Sequence, residues 1–230
     1  MQMRAVAARQ GTRWFADGWS LFQQRPGMWI MLGLIDLLVT IVLYELPYAS
    51  DLTAVFTVLW SGGMVFAADH CRTTGTVGLA DVVRGIRAHF EPLFAAAVFG
   101  LLIAIVCDLT GDRAAGALRL MAFGGAKTDL PTVLALCAGV LYLTTAVIGA
   151  MALWIAPALI VLNGATAADA LRASFTATWR NGAAALVYGI VAVGLFIACV
   201  LTLGVATVVV APLLYLSTYA ASLDMFPRNR

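Results

Sequence analysis

Long apolar runs, divided by short polar stretches, set the rhythm of this chain. The runs cover about 27–46, 52–71, 92–109, 130–162, 182–203 and 205–222. Each is long enough to cross a hydrocarbon core as a helix, which takes roughly 17 to 25 residues. Pro26 and Pro92 stand where the first and third runs begin, a position at which a helix needs no backbone N–H partner. Three of the intervening stretches carry a helical period of their own. In 12–25, Trp14, Gly18, Leu21 and Phe22 share a face flanked by Trp19, opposite Arg13, Asp17, Ser20 and Gln24. In 79–90, Leu79, Val82, Val83, Ile86 and Phe90 oppose Asp81, Arg84 and Arg87. Thr166 and Asp169 form a capping pair that opens a third such helix, with Leu171, Phe175 and Trp179 opposite Asp169, Arg172, Thr176 and Arg180. This pattern predicts helices lying in the membrane interface, with Trp14, Trp19, Phe90, Phe175 and Trp179 as interfacial anchors.

The pattern therefore predicts an all-α, polytopic membrane protein. Its six transmembrane helices form three hairpins, each preceded by an amphipathic interfacial helix, in a single membrane domain over 1–230. The pseudo-repeat units run about 12–71, 79–162 and 166–222. In each unit the second span contains a residue expected to interrupt it: the Gly62-Gly63 pair, as a kink or a close-packing point, Pro157 or Pro212. The connection ELPYAS (45–50) is short enough to make the first pair an antiparallel hairpin. The stretch 108–129 reads as the one sizeable hydrophilic connection, with a short helix around 114–121 bounded by Gly124 and Gly125.

Composition agrees with the pattern: of 230 residues, 62% are hydrophobic and 11% charged, against about 25% charged in soluble domains. The formal charge of +2 is dispersed and gives no footing for a nucleic-acid partner. The placement of charge is more informative. Arg4, Arg9, Arg13, Arg25, Arg72, Arg84, Arg87, Arg172, Arg180, Arg228 and Arg230 fall on one side of the expected topology; Arg113, Arg119 and Lys127 fall on the other. The positive-inside rule then puts both termini and all three amphipathic helices in the cytoplasm. The N-terminus has no signal-peptide pattern and is expected to stay on the mature chain.

The string APALIVLNG through AADALRASFTATWRN, with Ala156-Pro157, Ala170, Leu171, Ser174, Phe175 and the Arg180-Asn181 pair, resembles a family of bacterial inner-membrane proteins of unknown function. That family includes the YciC-like proteins and the membrane domain found with some glycerophosphodiester phosphodiesterases. Gly18-Trp19-Ser20-Leu21-Phe22 with Pro26 and Trp29 is similar to its start, while about 100–150 matches in hydropathy alone. The resemblance implies a cytoplasmic-membrane location in a bacterium and an architecture. It implies no reaction, since no phosphodiesterase domain accompanies it.

Within the spans, Asp36 is the one ionisable residue near a membrane midpoint, where such a group costs on the order of 2.5–3.5 kcal/mol and faces a bundle interior. Trp29, Gly33, Asp36, Thr40 and Tyr44 share a face, so Asp36, Thr40 and Tyr44 form the candidate intramembrane polar site. With no Lys or Arg in any span to pair with, the acid is expected to hydrogen-bond between helices, with Ser61, Thr144, Thr145 and Tyr188 as candidate partners. Tyr215, Thr218, Tyr219 and Ser222 share a face of the last span and offer either a polar crevice or interface anchoring. His70, Cys71 and His89 lack metal-ligand spacing, and Cys71, Cys107, Cys137 and Cys199 read as small buried hydrophobes. No nucleophile–base–acid set, phosphate loop or H-E-x-x-H is present, so no catalytic, metal or cofactor site is expected. The expected function is non-enzymatic, in lipid handling or as an accessory partner of a membrane complex. The alternative is a proton- or cation-linked small-solute transporter using Asp36. Expected partners are the phospholipid bilayer and a membrane protein or a second copy of the chain.

Overall fold

A computed structural model describes residues 3–46, 51–123 and 130–227. Residues 47–50 of the first connection, and Gly124, Gly125 and Lys127 of the second, lie outside the described residues. Among the described residues the protein is all-helical: α1 Gln10–Gln24, α2 Pro26–Glu45, α3 Leu52–Thr74, α4 Leu79–Ala88, α5 Phe90–Phe123, α6 Leu130–Leu153, α7 Ala156–Asn163, α8 Ala167–Arg180, α9 Gly182–Leu201 and α10 Thr207–Met225. Six segments are long and apolar enough to span a membrane: α2, α3, the first 24 residues of α5, α6 with α7, α9 and α10. This is a multi-pass membrane protein in contact with the lipid bilayer.

Local chemistry explains the boundaries. Pro26 occupies the first turn of α2, and Thr166 caps α8 by accepting from the Asp169 N–H while its own hydroxyl donates to the Asp169 carboxylate at 2.8 Å. Gly75 and Gly164 end α3 and α7 in the left-handed conformation, which glycine adopts without a Cβ penalty.

The structure corrects three sequence expectations. The hydrophilic connection is helical from its start, because α5 runs unbroken for 34 residues. Its polar part is rich in Ala, Leu and Arg, good helix formers, and Thr110 turns its hydroxyl back onto the Val106 carbonyl. Gly62 and Gly63 do not break α3. They are contact points, where an added Cβ would meet Leu93 of α5 at 2.6 Å and Val82 of α4 at 2.6 Å. Nor does Pro212 break α10, which continues through it. Proline cannot donate to the carbonyl one turn earlier, that of Val208, and Gly33 of α2 packs against that oxygen and the proline ring.

The fourth apolar run is interrupted at Trp154 and Ile155, with Pro157 in the first turn of α7. The hydroxyls of α8 satisfy the opened backbone. Ser174 Oγ accepts from Ile155 N at 3.3 Å and donates to the Met151 carbonyl at 2.8 Å, and Thr178 Oγ1 reaches the same carbonyl at 3.4 Å.

The short helices pack on spans that follow a cyclic order. The first, α1, packs against α10; α4 packs against α3; α8 packs against α6 and α7. Two of the spans that open a pair follow the same rule, α2 docking on α10 and α5 on α3. The expected pairing of α2 chiefly with α3 gives way to this docking on α10. By contrast α9 packs on α1 and α10 and makes no extended contact with α6. The helix corners are tied together at one end of the bundle. Arg25 Nε donates to the Gly75 carbonyl at 2.9 Å, Val6 N to Asn181 Oδ1 at 2.8 Å, and Arg4 N to the Met225 carbonyl at 2.9 Å.

Candidate functional site

The sequence-predicted polar site is only partly assembled. Asp36 is buried, 9% exposed, on the face of α2 that docks on α10. Its partner is none of the four hydroxyls anticipated but Tyr215, whose Oη donates to Asp36 Oδ2 at 3.4 Å. Thr40 is half-buried, and Tyr44 is 66% exposed, so it does not join Asp36. Ile41, Val42 and Tyr44 are all exposed, so among the described residues no neighbour covers this end of α2, and a helix-wheel reading cannot anticipate that. The face of α10 named from the sequence is buried: Thr218, Tyr219 and Ser222 are all within the protein, and Tyr219 Oη donates to Asp69 Oδ1 at 2.9 Å.

The anchors also divide. Trp19, Phe90 and Trp179 are exposed, Trp179 at 73%, and Phe175 is half-buried. Trp14, expected at the membrane surface, is instead in the core at 1% exposure. Its indole N–H donates to Asp224 Oδ2 at 3.0 Å, and its ring meets Trp154 and Tyr188 at centroid distances of 5.8 and 6.1 Å. Gly11 and Gly18 make this burial possible. A Cβ at Gly18 would come 2.8 Å from Ser217 N, and one at Gly11 would come 2.5 Å from the Ala184 carbonyl. The helix thus faces protein along the stripe that the sequence assigns to lipid.

Trp154 and Tyr188 also border a cavity among the spans. This cavity of about 550 Å³ lies where α9 stands off α6, within the roughly 300–1,000 Å³ of small-molecule sites. Ala150 and Leu153 of α6 and Ala185 and Tyr188 of α9 form facing walls, and α3, α7 and α10 complete the enclosure. Among the described residues no charged side chain lines it; its polar side chains are the hydroxyls of Thr57, Ser61, Thr178, Tyr188, Tyr215 and Thr218 and the indole of Trp154. At one end these form a cluster. Tyr188 Oη lies 3.0 Å from Ser217 Oγ and 3.3 Å from Thr218 Oγ1. Asp36 does not line the cavity, but Tyr215 does, so the Tyr215 side chain stands between the carboxylate and the void.

The remaining chemistry is sparse. His70 Nε2 lies 3.9 Å from Asp81 Oδ1, and Arg84 reaches the same carboxylate oxygen at 3.4 Å. His89 Nδ1 lies 3.1 Å from the Gly85 carbonyl. Among the described residues no three His, Cys, Asp or Glu side chains converge on a metal-sized space. The four cysteines are free; Cys71 and Cys199 are buried, whereas Cys107 is half-buried and Cys137 exposed, contrary to the expectation for those two.

Sequence reasoning missed Asp224, and it named Asn181 in the Arg180-Asn181 pair without its role. Asn181 is buried and holds the N-terminal segment through Val6 N and the Arg4 carbonyl, while the half-buried Asp224 collects Trp14 and Gln10. Both stand at helix ends beside apolar runs, where a lone polar residue is the local sign. No family model matches the chain, and no curated protein or solved structure does so either.

Proposed function

We propose that this protein handles lipid in a bacterial cytoplasmic membrane, without enzymatic activity and without a cofactor, as a relative of the YciC-like proteins. The observation that carries the reading is the character of the cavity between α6 and α9: among the described residues no charged side chain lines it, and it is walled by spans whose outer faces meet lipid. In the hydrocarbon region the fluid at hand is hydrocarbon itself, and the mostly apolar walls suit an apolar guest. The three-unit organisation, with α1, α4 and α8 at the cytoplasmic surface and both termini inside, supports a site reached from the inner leaflet. It rests on the eleven basic residues placed on that side against three on the other. Service as an accessory to another membrane complex, or as a homo-oligomer, fits the same architecture.

Purification in a native-like bilayer followed by native mass spectrometry tests the reading. One or more phospholipids retained at defined stoichiometry is the expected result. A clean preparation with no lipid bound beyond the surrounding annulus sinks it.

One observation favours a second reading, proton- or cation-linked transport of a small solute. Tyr215 touches both the cavity and Asp36, which would let an event in the void reach the acid. In that case Asp36→Asn abolishes a proton flux measured in proteoliposomes while expression stays normal. Under the lipid reading the same variant retains its bound lipid.

A further inference from the structure

The cavity has a direction. One end is marked by Thr178 of α8 and by the Tyr188–Thr218 hydroxyl pair, close to the corner where α8 meets α9. The other is marked by Ala54, in the first turn of α3, and Gly100 of α5. These two touch, since a Cβ on Gly100 would lie 3.9 Å from the Ala54 carbonyl and 3.5 Å from Val58. Along α3 alone the lining runs from Ala54 to Ser61, a rise of about 10 Å at 1.5 Å per residue. One end thus offers hydroxyls beside the short surface helices, and the other stops against the small side of Gly100 and the half-buried Ala54 in the first turn of α3.

Access is from the side. Thr57 and Ala150 are exposed at the margin, and α9 makes no extended contact with α6, so the opening lies between helices rather than at a bundle end. Beside the lining residues, Leu186 and Ile190 on α9 and Val147 on α6 are exposed apolar side chains of the lipid-facing surface. Gly189 on α9 has open space where a Cβ would be. This helix is therefore thin on one side and packed against nothing there, whereas the glycine of α2 is pressed onto α10.

Resting on the lipid-handling reading, we infer that this cavity is an end-stopped site for one acyl chain of a membrane phospholipid. The chain enters between α6 and α9 with its ester beside Tyr188 and Thr218 and its methyl end against Ala54 and Gly100. The hydroxyls suit an ester carbonyl, to which they donate, and the walls suit only hydrocarbon. Within a bilayer no gain comes from leaving water. The chain is held by dispersion contacts that bare walls forfeit, so fit to length decides the preference.

The test uses the full-length protein, stripped of lipid in detergent and offered an equimolar mixture of phosphatidylglycerols with lauroyl, myristoyl and palmitoyl chains. Native mass spectrometry reads which remains. The parent protein is expected to bind one lipid and to favour the longer chains. Ala54→Phe fills the blind end and is expected to move the palmitoyl-to-lauroyl ratio toward lauroyl by about tenfold, the scale of an overpacking clash, with occupancy preserved. Ala185→Trp, at the mouth, is expected to abolish retention of every chain. Gly100→Leu, which fills the same end from α5, is expected to give the same shortening as Ala54→Phe should the latter fail to fold. A parent that binds lipid while both blind-end variants keep its chain profile overturns the end-stopped site and leaves lipid handling standing. A parent that retains none of the three lipids overturns both.

Discussion

Two seams of this bundle do opposite things with similar material. Where α2 meets α10, Gly33 lets backbone approach backbone, the freed carbonyl of Val208 and the ring of Pro212 fill the groove, and Asp36 is closed off by Tyr215. Where α9 faces α6, small residues are again available, yet the helices stand apart and leave a cavity of about 550 Å³. Both α2 and α9 are apolar spans that follow a short polar helix, so composition does not separate them. What differs is the partner. α10 presents an intact, continuous ridge to α2, while the span facing α9 is broken at Trp154 and Ile155 and has its backbone occupied by Ser174 and Thr178 of α8. A small-residue stripe closes a seam only when the opposite surface is whole.

The largest effect should come from the junction shared by the two seams. Trp14 bears on Trp154 and Tyr188 of the open side and on Asp224 of the closed side. Trp14→Ala is expected to cost about 3–5 kcal/mol, read by thermal unfolding in detergent. A variant as stable as the parent would return Trp14 to the lipid surface. Next comes the closed seam itself, where Gly33→Leu drives a side chain into Val208 and Pro212 and should cost about 1–3 kcal/mol. Parental stability in that variant would show the α2–α10 contact to be loose.

Tyr215→Phe removes one interhelical hydrogen bond and should cost about 0.6 kcal/mol, the mean for such bonds in membranes. A double-mutant cycle with Asp36→Asn checks whether the two groups are coupled. Smallest of all, Gly189→Leu on the open seam should stay within about 0.5 kcal/mol of the parent, because nothing lies within 4 Å of the added Cβ. A loss as large as that of Gly33→Leu would mean that α9 packs on a neighbour there.

The spans were legible because an apolar run of bilayer length has few alternatives, and the start of α8 because Thr166 and Asp169 carry a capping signal that acts locally. The reach of α5 was not, since Asp108, Asp112 and Arg113 look like a loop to a hydropathy reading but sit comfortably on a helix. Gly62-Gly63 is the close-packing point rather than the kink, and Pro212 marks unusual packing without the expected break. Their deficits are made good by Leu93, Val82 and Gly33 from other helices. The candidate site was legible in one residue, Asp36. Its partner lies 179 positions away, and the cavity exists through the docking that α9 does not make; no local pattern encodes either fact.

The grip of α1 on α10 also dictates an order of assembly. Trp14 leaves the ribosome 210 residues ahead of Asp224, which holds its indole. At about 5–20 residues per second that interval is roughly 10–40 s. Throughout it, the first helix can be covered by Trp154, Tyr188 and α9 as they emerge but not by α10, its main partner. Its burial is thus completed by the last span, and a ribosome stalled before α10 would leave it half covered.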